Sequence, residues 1–453
     1  MYTLSSKLKF ISIIFMVLGI LGLAYGFLAA PSTVEEVQEI LAAEAGHGAH
    51  SESATAGDEG LPDHGITEKR LEAGPGHGIS EEEAGQHDVA HLEHVLHQLQ
   101  SRPWAAVFVA GFFFFMIALG ALVFHAIQYV AQAGWSPVLY RVFEGITAYV
   151  LPGSIIVVLI VLLAGTHFFP WMDEDIVAHD EVLQGKSGYL NLPFFIIRAL
   201  IYLLGWNLYR YFARRNSLRQ AEVSGYAPYK KNFRISVYFL LFFIVTESMM
   251  AWDWFMSLSP HWYSTLFAWY VFASMFVSAI TVIALVTIYL RGKGYLPFVN
   301  DSHLHDLAKY IFAFSIFWTY LWFGQFMLIW YANIPEEVVY FTMRIEEYNL
   351  LFFGMLVLNF VFPILMLMNT TFKRVPFFVV LTCLVVLIGH YIDIFLLVVP
   401  STIGPYWAFG IPEIAGILFF LGLFVFVVGK GLGKVSLYPK GDPFLVESEN
   451  YHY

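Results

Sequence analysis

Cysteine is almost absent from this chain, which contains one in 453 residues, Cys383 in the apolar stretch LTCLVV. A single thiol cannot form an internal disulfide, ligate an iron–sulfur cluster or supply the C-x-x-C-H attachment of a c-type haem. The apolar surroundings predict that Cys383 is a small buried residue. Any redox cofactor would therefore have to be a haem b, a quinone or a group that a partner supplies.

Charged residues are also scarce. They make up 13% of the sequence, whereas hydrophobic residues make up 58% and aromatic residues 18%. A soluble domain carries about 25% charged residues, so this deficit indicates a lipid environment. Ten apolar runs reach the ~18 residues that mark a membrane-spanning helix. They cover roughly residues 10–30, 104–130, 145–169, 194–213, 235–258, 264–290, 307–331, 349–371, 376–399 and 413–430. The sequence thus predicts an all-α polytopic membrane protein with ten transmembrane helices.

The first run could be mistaken for a signal peptide, since Lys7 and Lys9 precede it. Its apolar core is longer than the 7–15 residues of a signal peptide. We therefore expect residues 1–30 to be a retained first transmembrane helix.

Lysine and arginine are distributed unevenly between the loops. If the N-terminus is cytoplasmic, 18 of the 24 basic residues fall in cytoplasmic segments and five in segments on the other side, while Arg198 lies within a helix. Cytoplasmic loops of membrane proteins carry the excess of Lys and Arg. We therefore expect both termini to face the cytoplasm.

Residues 31–101 differ in composition from the rest of the chain. They contain 15 acidic residues, two basic residues and eight of the sixteen histidines. Such a composition cannot bury a core and predicts a largely disordered segment outside the membrane. Its end, QHDVAHLEHVLHQLQ, favours a short amphipathic helix, on which His87, His91 and His94 could hold a metal ion on one face. A solvated histidine-rich linker without metal is the favoured interpretation.

Ionisable side chains inside membrane helices are costly, so each is a candidate for function. The stretch ESMMAWDWFMSLSPHWYSTLFAW (247–269) holds a glutamate, an aspartate, a histidine and four tryptophans. Depth along the predicted helices, at ~1.5 Å per residue, sorts the candidates into layers. Near the outer face lie His167, Arg198, Asp253, His261, Asp393 and Glu413; deeper lie Glu247 and His390; toward the inner face lie His125, Glu144, His303, His305 and Asp306. The outer layer is the richer one.

Several of these residues also have a structural interpretation. For Arg198 and Glu413, a structural role as a buried hydrogen-bonding group or as a side chain that reaches the interface is as well supported as a functional one. Glu247 is too far from the helix ends to reach the interface. Trp252, Trp254 and Trp262 fit the interfacial aromatic belt, and aromatic walls also suit a flat quinone ring.

A haem b would need two histidines at the same depth on neighbouring helices. His125, His167 and His390 are placed at three different depths. No intrinsic haem is therefore expected.

Three stretches are long enough to identify a resemblance. They are MAWDWFMSLSPHWYSTLFAWYVFAS (250–274), LHDLAKYIFAFSIFWTYLWFGQFMLIWYANIPEE (304–337) and NLPFFIIRALIYL (191–203). They resemble the NrfD-like (polysulfide-reductase-type) membrane subunits of alternative complex III, a bacterial quinol:cytochrome c oxidoreductase. The resemblance extends over all ten helices. Such complexes contain two related subunits of this kind, and the chain length and the insert after the first helix are most similar to the second quinone-binding subunit.

The resemblance implies a fold and a set of partners. The fold is two four-helix bundles, residues 102–258 and 259–400, flanked by the first helix and by a last helix with a cytoplasmic tail (401–453). The implied partners are a homologous NrfD-like sister subunit, an iron–sulfur subunit, multihaem cytochrome c subunits and a terminal cytochrome oxidase, all at the inner membrane of a bacterial cell. Lipids are further partners and nucleic acid is not. A quinol, menaquinol or ubiquinol, would bind in this chain or in the sister subunit.

The resemblance also supports particular positions. GTHFFPW places His167 where quinol-binding relatives have a histidine, and HYIDIF places Asp393 where relatives keep an aspartate. Together with the layers described above, three sets of site residues are expected, and none of them is a metal site. Proton acceptors at the outer face are Asp253, His261, His167 and Asp393; a proton path comprises Glu247, Glu144, His125 and His390; quinone-binding residues are Trp252, Trp254, Trp262 and Arg198.

Three functions remain open at this point. The first is a subunit of a quinol:cytochrome c oxidoreductase that contributes a quinol site or a proton path and is inactive alone. The second is a stand-alone proton-coupled transporter, which would need a polar route between the two faces and no redox partner. The third is a scaffold subunit that has lost quinol chemistry.

Overall fold

The computed structural model describes residues 2–52 and 81–452. Every regular element in these residues is helical, and ten of the helices are long and apolar enough to cross a membrane. We number these α1 to α10. They are α1 Ser6–Leu28, α2 His91–Val130, α3 Pro137–Leu163, α4 Leu192–Gln220, α5 Ala227–Leu258, α6 Phe267–Gly292, α7 Asp301–Ala332, α8 Asn349–Leu367, α9 Pro376–Thr402 and α10 Ile411–Leu432. The prediction of an all-α polytopic membrane protein with ten transmembrane helices is confirmed.

The helices form two rings of four. In the first bundle α2 packs on α3, α3 on α4, α4 on α5, and α5 returns to α2; in the second, α6 to α9 repeat this arrangement. The bundles meet where α2 packs on α6 and α9 and where α5 packs on α6. α2 is consequently buried along almost its whole apolar length, whereas large apolar residues such as Leu204, Leu241 and Leu365 are exposed on the outside. Exposed apolar surface of this extent is stable against lipid and not in water.

α1 and α10 pair with each other at the side of the first bundle. Glycines let their backbones approach, because a Cβ atom at Gly19 would lie 2.5 Å from Cβ of Phe419 and one at Gly22 would lie 2.6 Å from Cβ of Ala415. Without a hydrophobic driving force in lipid, small residues of this kind allow helices to associate by close packing. The pair therefore holds α1 on the protein although most of its surface faces outward.

α8 is interrupted by a wide turn. A π-helical segment, Val357–Val361, precedes Pro363, whose missing N–H group interrupts the regular hydrogen-bond ladder. The wide turn directs Asn359 into the second bundle, where its side-chain oxygen would overlap a Cβ atom at position 389. Glycine at position 389 is therefore required for this close approach.

The described parts of the acidic insert are helical. Its beginning forms a helix, Val34–Glu52, and its end belongs to one continuous helix, Glu81–Val130, that runs into the membrane as α2. The helix at the end of the insert agrees with the amphipathic helix that the sequence favours there, whereas the helix at its beginning was not expected. Val37 and Val95 are buried, so packing of a few apolar residues on the ends of the bundles accounts for the difference. Residues 53–80, and the side chain of His87 in the suggested metal group, lie outside the described residues; among the described ones no group of three or more His, Cys, Asp or Glu is arranged to hold a metal ion.

The two ends of the bundles differ in charge. We call basic face the end that carries residues 214–230, where α4 is joined to α5, residues 291–301, where α6 is joined to α7, and the tail 433–452. We call acidic face the opposite end, which carries the described ends of the insert and the loops of residues 164–191 and 259–266.

Candidate functional site

The first candidate site is a buried ion pair near the acidic face of the first bundle. Asp253, on α5, accepts hydrogen bonds from Nε of Arg198 at 2.8 Å, from Nη2 of Arg198 at 2.9 Å and from the hydroxyl of Tyr202 at 2.8 Å. Arg198 also donates to the backbone carbonyl of Tyr189 at 3.0 Å, and its guanidinium lies 3.9 Å from the centre of the Tyr189 ring. Both charged side chains are almost completely buried. Such a bidentate pair with further hydrogen bonds can offset the cost of removing two charges from water.

A second buried carboxylate occupies the corresponding end of the second bundle. Asp393, on α9, accepts hydrogen bonds from the hydroxyl of Tyr270 and, at 2.9 Å, from Nε1 of Trp318. Nδ1 of His390 lies 3.5 Å from the carboxylate and 2.9 Å from the hydroxyl of Ser274. Neutral donors and an imidazole thus surround Asp393, in contrast to the arginine that pairs with Asp253.

A buried arginine that lines the same cavity as Asp393 is held by backbone carbonyls. Arg344 lies on the helix Pro335–Glu346 and donates to the backbone carbonyls of Leu396 at 3.1 Å and of Tyr340 at 2.7 Å. Its Nη2 atom is buried and has no hydrogen-bond partner within residues 2–52 and 81–452. Arg344, Asp393 and Gln325 line one small cavity of about 10 Å³, which is close to the volume that a single water molecule needs.

The two carboxylates share a sequence pattern that our sequence predictions did not include. Each is the first residue of an Asp-x₆-Pro segment, DWFMSLSP from Asp253 to Pro260 and DIFLLVVP from Asp393 to Pro400. The ends of the two segments are in contact, since the hydroxyl of Ser259 at the end of the first donates to that of Ser401, which follows the second, at 2.9 Å. The last helix of each bundle therefore carries an aspartate at the same distance from a proline.

A third polar cluster lies toward the basic face of the first bundle. Glu144 accepts hydrogen bonds from Arg141 at 2.7 Å and from Arg214 at 3.0 Å. His125 is buried beside it, within ring contact of Phe143, and its Nε2 atom has no hydrogen-bond partner. The sequence predicted Glu144 and His125 here but not the two arginines that neutralise Glu144.

Glu247 lies between these clusters and has no cation partner among the described residues. It is fully buried on α5, and its Oε1 atom has no hydrogen-bond partner. The neighbouring Thr246 accepts a hydrogen bond from Nε1 of Trp206 at 3.1 Å. Toward the basic face, the next buried polar residue of α5 is Ser236, about 15 Å away at 1.5 Å per residue. Phe239 and Phe243 fill this interval on α5 and form an aromatic layer there, whereas on the neighbouring helices Asn207 of α4 donates to the hydroxyl of Ser154 of α3 at 3.2 Å.

The four predicted proton acceptors are not brought together. His261 lies on a loop, where Nε2 is 2.6 Å from Oδ2 of Asp180; hydrogen bonds from backbone N–H groups, that of Leu183 above all, lower the pKa of this aspartate. His167 stacks on the ring of His97 with centres 5.5 Å apart. These two histidines therefore occupy separate places from Asp253 and Asp393, which themselves lie in different bundles.

The three predicted quinone-binding tryptophans also separate. Trp254 is buried in the first bundle. Trp252 and Trp262 line a groove of about 460 Å³ at the acidic face, which is also lined by Lys186, Tyr189, Met256, Ser257, Pro260 and Tyr263. Trp262 stacks on Tyr340 at 3.9 Å between ring centres and is nearly buried, whereas Trp252 is partly exposed. Two of the three tryptophans are therefore available as aromatic walls.

Comparison with known proteins adds no assignment. No known family model matches this chain. A search of curated proteins finds no match either.

Proposed function

We propose that this chain is an integral membrane subunit of a quinol:cytochrome c oxidoreductase of the alternative complex III type, embedded in a bacterial inner membrane with its acidic face toward the periplasm. Within that complex it binds a quinol headgroup in the groove at the acidic face and passes protons along the first bundle. The observation that supports this most is the direct connection between the aromatic groove and the Arg198–Asp253 pair.

The groove has the properties that a quinol ring requires. It is about 460 Å³ in volume and lined mainly by aromatic and apolar side chains, and binding sites for small molecules have this size and lining. The ammonium group of its one cationic residue, Lys186, already donates to the backbone carbonyl of Pro260. A neutral ring is therefore a better occupant than an anion.

Two groove residues are hydrogen-bonded to the residues of the ion pair, Tyr189 to the guanidinium of Arg198 and Ser257 to the backbone of Asp253. Tyr189 lines the groove and accepts a hydrogen bond from Arg198 through its backbone carbonyl. Ser257 lines it as well, and its hydroxyl donates to the backbone carbonyl of Asp253 at 2.6 Å. Oxidation of a quinol releases two protons, and a carboxylate one layer behind the groove is a suitable acceptor. Because a protonated Asp253 would leave Arg198 uncompensated, we expect Asp253 to relay a proton and not to retain it.

Glu247 and the Glu144 cluster extend this arrangement toward the basic face. They are the two remaining places in the first bundle where buried carboxyl groups occur on the described helices. The aromatic layer of Phe239 and Phe243 lies between them. A proton path that follows α5 would therefore depend on water entering that layer, and a stand-alone transporter that used the same path would depend on it equally.

Electrons must leave through partners. The sole cysteine, Cys383, is buried in the second bundle, and one thiol cannot hold a cluster. When bound, iron–sulfur and haem groups of the partner subunits would accept the electrons, while this chain positions the quinol and accepts protons.

The first test is purification of the full-length chain in a mild detergent from its native membrane. We expect it to co-isolate with a multihaem cytochrome, visible as haem absorbance, and with an iron–sulfur subunit. A pure chain without haem would contradict the proposal and would favour the independent transporter.

The second test separates the quinol site from a scaffold role. Trp252→Leu should raise the KM for quinol at least fivefold in the assembled complex, because the ring loses an aromatic wall. Trp269→Leu is the matched control, since Trp269 is a similarly exposed tryptophan at the same face that does not line the groove. Equal KM values in both variants would place the quinol site elsewhere and leave this chain a scaffold.

A further inference from the structure

A second large groove lies at the basic face and has a different character. It has a volume of about 440 Å³ and is formed by the first two turns of α5, by Gln132 and by the tail. Its other lining residues are Tyr226, Tyr229, Lys230, Phe233, Arg234, Pro443 and Phe444. Two cations and several aromatic rings therefore face one open space, and no carboxylate is among the lining residues.

The two cations are available for a ligand. Lys230 and Arg234 are one helical turn apart and exposed, and Nε of Arg234 makes only a long contact, 3.5 Å, to the backbone carbonyl of Lys230. Within the described part of the chain, no carboxylate lies within ion-pair distance of either side chain. The groove thus presents about two uncompensated positive charges at the level where the helix enters the membrane.

The apolar side of the groove is fixed by packing. Phe444, on the tail, contacts the Tyr229 ring with centres 5.9 Å apart, and the Tyr229 backbone N–H donates to the Gln220 side chain at 3.0 Å. The tail therefore forms one wall, and α5 forms the other with Phe233. Such a wall suits glycerol and the first methylene groups of an acyl chain more than it suits a fully hydrated anion.

The same face of α5 continues as an apolar track. Tyr238, Leu241 and Val245 follow Lys230 and Arg234 at helical spacing and are all more than half exposed, at 71%, 63% and 58%. From Lys230 to Val245 the helix rises about 22 Å at 1.5 Å per residue, which exceeds half of a ~30 Å hydrocarbon core. A ligand with an anionic head and a long apolar chain would contact both parts at once.

We propose that this groove is a binding site for an anionic glycerophospholipid, with the headgroup phosphate on Lys230 and Arg234 and one acyl chain along Tyr238, Leu241 and Val245. Basic pockets between membrane helices on the cytoplasmic side bind anionic headgroups in this way. The proposal stands independently of the quinol chemistry, since the two grooves lie at opposite faces.

The test uses the full-length chain in nanodiscs of phosphatidylcholine with a minor fraction of phosphatidylglycerol. Native mass spectrometry of the released protein should show retained phosphatidylglycerol, and Lys230→Gln with Arg234→Gln should lower that retention at least fivefold. The matched control is Lys231→Gln with Arg219→Gln, which removes two exposed charges from the same face outside the groove. The control should stay within twofold of the unaltered chain.

Two outcomes would overturn the proposal. Equal losses in the groove variant and the control would show general attraction of anionic lipid to a basic surface. Unchanged retention in the groove variant would show that the lipid binds elsewhere. A competition experiment distinguishes a phospholipid from a free phosphate as the ligand. Glycerol phosphate, which has no acyl chains, should not displace the lipid. Displacement of the lipid by glycerol phosphate would mean that the apolar track takes no part in binding.

Discussion

Asp253→Asn is the substitution whose effect follows most directly from the structure. Oδ1 of Asp253 accepts from Nη2 of Arg198, and Oδ2 accepts from Nε of Arg198 and from Tyr202. Asparagine replaces one of these oxygens with an amide NH₂ group, which cannot accept, and it removes the charge. Arg198 would then be a buried cation with no counter-charge in the part of the chain that the structure describes, where its only other hydrogen-bond acceptor is the Tyr189 carbonyl.

The expected cost of this change is large. Removing one member of a buried pair costs about 3–5 kcal/mol. Glu413→Gln is the comparison, because its partner Arg102 is 26% exposed whereas the Arg198 side chain is 2% exposed. Water can solvate Arg102 after the substitution, so we expect a loss of about 1 kcal/mol or less. Thermal unfolding in nanodiscs should therefore show a much larger drop in Tm for Asp253→Asn than for Glu413→Gln.

A double variant distinguishes the loss of charge balance from the loss of function. Arg198→Met with Asp253→Leu removes both charges, and replacing a buried pair with apolar residues is often neutral for stability. We expect the double variant to recover most of the lost Tm. In the proposed complex, quinol-dependent cytochrome c reduction by the double variant should nevertheless be at least tenfold slower than by the unaltered protein, about 1.4 kcal/mol in barrier. The reasoning would be refuted if Asp253→Asn were as stable as the unaltered protein or if the double variant were no more stable than the single one.

Three further predictions concern other parts of the chain. Asp393→Asn should destabilise the protein by less than Asp253→Asn does, because its donors include the neutral indole of Trp318; equal Tm losses would contradict this. Burial raises the pKa of Asp442 from 3.8 to about 6. The contribution of Asp442 to stability is therefore most favourable below pH 3.8, where the carboxyl is protonated in both states, and it is lost as the pH rises through about 6. Asp442→Asn should raise Tm at pH 7 and leave it unchanged at pH 3.5, and the opposite order would refute the raised pKa. Single cysteines at the exposed positions Ser187 and Gly225 should react with an impermeant maleimide from the periplasm and from the cytoplasm respectively; labelling of both from one side would overturn the proposed topology.

For some of the site residues, the sequence predicted the depth in the membrane but not the partner. Hydropathy placed Asp253 and Arg198 near the same membrane face, but they are 55 residues apart in the chain, and no periodicity within one helix indicates which residue of another helix it meets. For the same reason His261 was grouped with Asp253, although its loop carries it to Asp180 at the surface. The Asp-x₆-Pro repeat was a readable signal for the correspondence between Asp253 and Asp393, because it needs only one-dimensional spacing.

The ten membrane-spanning helices and the polar residues inside them could be read from the chain before it is folded. Both follow from the cost of exposing polar groups to hydrocarbon, which each segment meets on its own. The pairing of charges, in contrast, arises only from the packed helices. Packing of α4 on α5 neutralises Asp253 with Arg198, while packing of α6, α7 and α9 surrounds Asp393 with neutral donors and leaves Arg344 across a small cavity. Electrostatic interactions between buried groups depend on distances of a few ångströms between helices, and those distances exist only once the helices have packed.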